Sequence, residues 1–194
     1  MFRGEGPRPG RPCGFDACGT AAYDSAARMA DHVLESRVWL PCPRPQVFEF
    51  FADPRHLALV QPPSAQLAWL APPAARLEAG AVLDFAVRVL GLPVRWRVMI
   101  REFDPPYRFV DAQLRGPFAR WEHRHRFLEG PEREGGTGPA GTWVEDRVTY
   151  RLPAGPLGVV AHALFARRRI VRLFAHRQSR LRELLSSPLT SGSA

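Results

Sequence analysis

The sequence predicts an α+β fold: a curved antiparallel sheet of about seven strands wrapped around one long C-terminal helix, with two short helices after the first strand. Three observations predict it. Apolar and polar residues alternate with a period of two through most of the middle of the chain. The alternating stretches are separated by short turns rich in Gly and Pro, which join neighbours as hairpins and so build an antiparallel meander. After Pro156 the apolar spacing changes to that of a helix and stays helical to Leu185.

Residues 1–30 are rich in Gly, Pro, Ala and Arg without apolar periodicity, and are expected to form a disordered tail. Met29 stands just before the first strand and is an alternative start. In that strand Leu34, Ser36, Val38 and Leu40 alternate with Glu35, Arg37 and Trp39, until Pro41-Cys42-Pro43 stops it. Pro45 to Ala52 reads as a short helix with proline in its first turn, where the missing N–H costs nothing. His56 to Val60 reads as a second one. Strands follow over Gln66–Leu70, Ala81–Leu90, Val94–Phe103, Tyr107–Leu114, Ala119–Leu128 and Thr142–Leu152, with Gly91-Leu92-Pro93 expected as one of the turns. The long helix spans about Leu157 to Leu185. Its apolar stripe changes phase at Arg167-Arg168-Arg169, which requires a bend or two covered surfaces.

The 194 residues suit one domain, expected over 31–186 and followed by a flexible tail at 187–194. No apolar run approaches the roughly 20 residues of a membrane-spanning helix. The first residues also lack the apolar stretch of a secretory signal. A cytoplasmic location without stable membrane insertion is expected. Cys13, Cys18 and Cys42 form no CxxC pair and read as free thiols. The net charge is +8 and every basic residue is arginine, but the arginines are spread over most strands rather than gathered on one. No nucleic-acid partner is therefore expected. Arg167 to Arg169 with Arg172 read as a solvated helix face, with transient contact to anionic lipid as the alternative. No phosphate-binding Gly-rich loop and no Ser/His/Asp or Cys/His nucleophile set is present, and no cofactor is expected. Nothing in the sequence specifies an oligomeric state.

The element order resembles the helix-grip fold of the SRPBCC superfamily, which includes START lipid-transfer domains, birch-pollen-allergen-like proteins and the polyketide cyclase/dehydrase group. The resemblance covers about Leu34 to Leu185. It is carried by Pro45-Gln-Val-Phe-Glu-Phe-Phe-Ala-Asp53, which is similar to the superfamily's first helix. Asp111-Ala-Gln-Leu-Arg-Gly-Pro-Phe118, Trp121-Glu-His-Arg-His-Arg-Phe127, Gly141-Thr142 and Asp146-Arg-Val-Thr-Tyr150 are similar to a bacterial ligand-binding subgroup. The resemblance implies an internal cavity and an apolar ligand. The loop from Gly130 to Gly141 is longer than the hairpin such a fold needs, and reads as a lid or an insertion.

The stretch Trp121–Phe127 carries the most chemistry. On a strand Trp121, His123, His125 and Phe127 share one face, while Arg120, Glu122, Arg124 and Arg126 share the other. The charged face meets solvent, so both histidines face inward beside two aromatics. Buried imidazoles require hydrogen-bond partners. Neighbouring strands offer Asp111 and Gln113 on one flank and Asp146 on the other. Three readings stay open: a structural polar network, a polar anchor for a ligand's head group, and acid–base or metal chemistry by His123, His125, Asp111 and Asp146. His-x-His on a strand can hold zinc, but spacing shows no third ligand, and no metal is expected. Phe85, Val87, Val89, Trp96, Val98 and Ile100 from the strands, Phe48 and Phe51 from the first helix, and Leu164 and Val171 from the long helix are candidates for the apolar wall. Trp39, Trp69 and Trp143 are placed outside or at the rim. Arg177 lies within the apolar stripe and is expected to snorkel to solvent, with pairing to Glu145 or Asp146 as the alternative.

Overall fold

The structure is a computed structural model and describes residues 31–133, 136, 138, 140–153 and 165–186. Its elements are β1 (His32–Leu40), α1 (Arg44–Ala52), a 3-10 turn (Pro54–His56), α2 (Leu57–Val60), a second 3-10 turn (Pro63–Ala65), β2 (Ala68–Trp69), β3 (Val82–Val89), β4 (Leu92–Asp104), β5 (Arg108–Arg115), β6 (Arg120–Gly130), β7 (Gly141–Arg151) and α3 (Arg167–Leu185). The predicted helix segment at 157–164 lies outside the described residues.

The seven strands form one antiparallel sheet in the order β1-β7-β6-β5-β4-β3-β2. Consecutive strands from β2 to β7 are neighbours, as a meander requires, and β1 closes on β7. Register shifts at Arg97/Val98 and Ile100/Glu102 interrupt the pairing of β4 with β5. Such irregularities bend a strand and raise its twist, so this 13-residue strand follows a curved sheet. The β3–β4 turn differs from the expectation. Val89 pairs with Leu92, and the turn is Leu90-Gly91, both with positive φ, +53° and +81°. That is the backbone of a two-residue hairpin whose twist matches the strands, and glycine meets it without strain. Leu92 and Pro93 belong to β4.

The convex face carries the charges. Arg37 and Arg126 both pair with Glu145, Arg101 and Arg120 with Glu122, and Arg147 with Glu35. The concave face is apolar at one end, where Val38, Leu40, Val47, Phe48, Phe127, Val144, Leu181 and Leu185 are buried together. The last turn of α3 is tied to the sheet there. The Cys42 thiol donates to the Leu185 carbonyl at 2.9 Å, and the Thr142 hydroxyl donates to the Cys42 carbonyl at 2.7 Å. Farther up, Gln178 Nε2 donates to Ser36 Oγ on β1 at 2.6 Å. These contacts set the rotation of α3 and aim Ile170, Phe174, Leu181 and Leu185 inward. Arg177 falls between Phe174 and Leu181 on the same stripe.

Trp39 and Trp143 sit at the rim as expected. Their indole N–H groups donate to the Gly130 and Pro131 carbonyls and hold the end of the β6–β7 hairpin. Trp69 packs edge-on against Phe85.

Candidate functional site

The pleat of β6 buries Trp121, His123, His125 and Phe127 and turns Arg120, Arg124 and Arg126 to solvent. Its neighbours complete the site by register. Asp111 of β5 stands opposite His123, and Asp146 of β7 stands opposite His125. The two carboxylates therefore flank a pair of imidazoles whose centroids are 3.8 Å apart. Asp111 Oδ2 lies 3.6 Å from His123 Nδ1 and 3.6 Å from His125 Nε2. Asp146 Oδ1 lies 3.2 Å from His123 Nε2, in hydrogen-bond geometry. It also lies 2.8 Å from His125 Nδ1, but off the line of a ring N–H, so His125 Nδ1 is buried without a hydrogen bond. One donor atom from each of Asp111, His123 and His125 lies within 4.8 Å of the others. Among the described residues, these three are the ones placed to hold a metal ion.

Burial and neighbouring charge pull these groups apart. Burial lowers the pKa of His123, and repulsion from His125 adds to it, against the pull of both carboxylates. Burial also disfavours a charge on His125, but the contacts with Asp111 and Asp146 outweigh it and raise its pKa above the ordinary histidine value. Burial pushes the Asp146 carboxyl up, yet the two imidazoles win and hold it well below the usual carboxylate range.

Aromatic rings frame the polar group. Phe109 stacks on His125 at 4.2 Å and Phe51 meets it edge-on at 5.5 Å. Phe174 of α3 packs against His123 at 5.3 Å. Beyond Trp121 the wall continues through Trp96 and Phe118, and Trp96 reaches Phe85. Trp96 Nε1 is buried without a hydrogen-bond partner among the described residues, as is Arg177 Nε.

Arg177 is half-buried, and its Nε is shielded from solvent. Burial lowers the pKa of its guanidinium, while the charges of Asp146 and Asp111 act against that. The Arg177 guanidinium carbon lies 5.5 Å from the centre of the Phe174 ring, on the inward stripe of α3. Gln113 does not join the histidines. Its side chain accepts from the Phe118 N–H at 3.4 Å and donates to the Phe118 carbonyl at 2.7 Å, which ties the β5–β6 turn. Gly116 lets that turn close, because a Cβ there would stand 2.2 Å from Gln113 Oε1. Val171 is 43% exposed and points away from the concave face. Leu164 lies outside the described residues. Phe48 is fully buried among the rings of Phe103, Phe109 and Phe127. Phe85 and Val98 are buried on the concave face. Phe118 was missed by sequence reasoning because it sits in a turn, where no periodicity marks a side chain as inward. A separate surface depression of about 360 Å³ lies beside α1, lined by Gln46, Glu49, Phe50, Asp53, His56, Ala75 and Arg76, and shares no residue with this site.

A curved meander gripping a long helix, with a polar cluster set in an aromatic wall, defines a helix-grip protein. The family model described as "Polyketide cyclase / dehydrase and lipid transport" matches residues 40–178, and the chain belongs to that family within the SRPBCC superfamily. Solved structures show the same fold. TTHA0849 from Thermus thermophilus is 23% identical with a TM-score of 0.59, covering 80% of this chain and 100% of that one. Ms6760 from Mycobacterium smegmatis is 17% identical with a TM-score of 0.56, covering 79% and 90%. Norcoclaurine synthase from Thalictrum flavum, in complex with dopamine and hydroxybenzaldehyde, is 13% identical with a TM-score of 0.56, covering 91% and 100%. No curated protein matches the chain. No described helix is long and apolar enough to cross a membrane.

Proposed function

We propose that this protein binds an apolar small molecule bearing a polar group, of the lipid, isoprenoid, quinone or polyketide class, in an internal cavity against the concave face, as a carrier or sensor. One observation carries the reading. A polar cluster of buried His123, His125 and Asp146 with half-buried Asp111 is set in an aromatic wall whose nearby N–H groups, Trp96 Nε1 and Arg177 Nε, have no protein partner among the described residues. Apolar walls with a few convergent polar groups are the general form of a small-molecule site. A buried donor left unpaired costs about 1–3 kcal/mol, which a ligand oxygen would recover. The family's description includes lipid transport, and the fold neighbour from Thalictrum flavum holds two small aromatic molecules. The free, buried Cys42 thiol fits a reducing, cytoplasmic setting. The paired arginines of the convex face favour no nucleic-acid partner.

The test is solvent extraction of the purified full chain followed by mass spectrometry, with 1-anilinonaphthalene-8-sulfonate as a competing probe. The reading expects a co-purifying apolar compound and saturable probe binding that the compound displaces. A chain with neither overturns it.

A second reading is a cyclase- or dehydratase-type enzyme. It is favoured by the geometry of two adjacent imidazoles, centroids 3.8 Å apart, each within 3.6 Å of both carboxylates, an arrangement able to hold and pass a proton. Asp111 and Asp146 would orient the rings. His125→Gln is then expected to abolish turnover of a polyketide-like substrate while probe binding persists. Full activity in that variant rules the enzyme reading out.

A further inference from the structure

We propose that Asp111, His123 and His125 form a binding site for one divalent transition-metal ion, with Asp146 holding both imidazoles from behind. The His-x-His spacing of β6 puts two imidazoles on one face of a strand, and the β5 register adds the third donor that spacing alone lacked. The distances suit an ion. Ligands about 2.0–2.1 Å from a tetrahedral metal stand roughly 3.3–3.4 Å from one another. Asp111 Oδ2 is 3.6 Å from each of the facing ring nitrogens, and one donor atom from each residue lies within 4.8 Å of the others, so ring rotations would bring the three onto a common ion.

The donor inventory points the same way. All four ring nitrogens face a carboxylate oxygen: Nδ1 of His123 and Nε2 of His125 face Asp111, and the other two face Asp146. A neutral imidazole has one N–H and one lone pair. If each ring gives its N–H to Asp146, both lone pairs point at Asp111, against an anion. Protonating both rings would instead set two like charges side by side, with centroids 3.8 Å apart. One divalent ion among Asp111 Oδ2 and the two facing nitrogens removes the conflict on that side.

Asp146 then has the role that outer carboxylates take in metal sites: it hydrogen-bonds the far nitrogen of His123 and lies 2.8 Å from that of His125, where a ring rotation would complete the second bond. Two imidazoles and one carboxylate suit zinc and the neighbouring N/O-liganded ions, iron(II) and cobalt(II) included. Three protein ligands leave a position open in a tetrahedral set. Phe174 of α3 packs against His123 at 5.3 Å. The site does not depend on the apolar-ligand reading, since an ion binds with or without a second ligand.

The test uses the purified full chain, treated with a chelator and titrated with cobalt(II) and then zinc. One equivalent of cobalt is expected, with a visible absorption band and no sulfur charge-transfer band, and zinc should displace it. The band should be lost in Asp111→Asn, His123→Gln and His125→Gln. Asp146→Asn should weaken binding by about 10–100-fold, and His176→Gln, on the same helix as Arg177, should leave it unchanged. Because a ligand variant can fail to fold, ring ¹⁵N shifts of wild-type histidines are followed in parallel. Zinc should move His123 and His125 and leave His56 in place. Absence of stoichiometric binding overturns the site. So does a cobalt band that persists in the folded ligand variants, or zinc binding that leaves both rings unmoved.

Discussion

The two ends of the concave face are built from the same strands and do opposite things. At one end Val38, Leu40, Val47, Phe48, Phe127 and Val144 close against Leu181 and Leu185 with almost no exposure. At the other end Trp121, Val148, Tyr150, Ile170 and Phe174 surround polar residues, and three nearby nitrogens lack hydrogen bonds. The first end buries almost nothing but apolar side chains, with Arg44 Nε at its margin the one unpaired side-chain nitrogen there among the described residues, and it holds the fold together. The second leaves polar capacity for something else to satisfy. Along β6 the change happens between Phe127 and His125, one step of the pleat.

The comparison can be broken most easily at the dry end. Phe48→Ala should cost about 3–5 kcal/mol in urea unfolding, as a large cavity in a close-packed core does. A loss under about 1 kcal/mol would mean that the dry end is not where stability resides. Next in size is Asp146→Asn in chelator-treated protein, which strands two buried imidazoles and should cost about 3 kcal/mol near neutral pH. The sign with pH follows from its depressed pKa. A carboxyl held below its unfolded value contributes stability that is present above the ordinary range, near about 4, and is lost as pH falls below it. The stability gap between wild type and Asp146→Asn should therefore shrink as the solution is acidified. A constant gap would show that Asp146 acts through packing instead of charge.

Smaller effects sharpen the contrast. Trp96→Phe keeps one six-membered aromatic ring and removes the pyrrole ring with its unpaired N–H. It should cost about 1–2 kcal/mol in stability, less than a full truncation. It should also weaken 1-anilinonaphthalene-8-sulfonate binding by about tenfold, the worth of one hydrogen bond. Unchanged affinity by fluorescence titration would remove Trp96 from the site. Smallest of all, Arg124→Gln on the convex face should stay within about 0.5 kcal/mol in the same unfolding measurement.

The strands were legible because a half-exposed antiparallel strand writes its two faces into alternate residues. Arg120 to Phe127 shows this most clearly, and the inward direction of both histidines followed from it. Chemistry that depends on partners across strands was only half legible. Asp111 and Asp146 were expected beside the histidines, but that each touches both rings depends on register, which no local spacing encodes. Gln113 shares Asp111's parity and was grouped with it, yet the β5–β6 turn draws its amide to Phe118. The turn at Leu90-Gly91 was misplaced because leucine gives no hint of positive φ and Pro93 looked like the stronger punctuation. Arg177 sat visibly on an apolar stripe. The sequence offers Asp146 as a partner for it, but how far the guanidinium is buried depends on the rotation of α3, which no local spacing encodes.

The central claim is that the polar end of the concave face is the ligand site. Intermolecular nuclear Overhauser effects between 1-anilinonaphthalene-8-sulfonate and the wild-type protein test it most directly. The account predicts contacts to Trp96, Trp121 and Phe174. Contacts confined to Phe50, His56 and Ala75, in the surface depression beside α1, would contradict it.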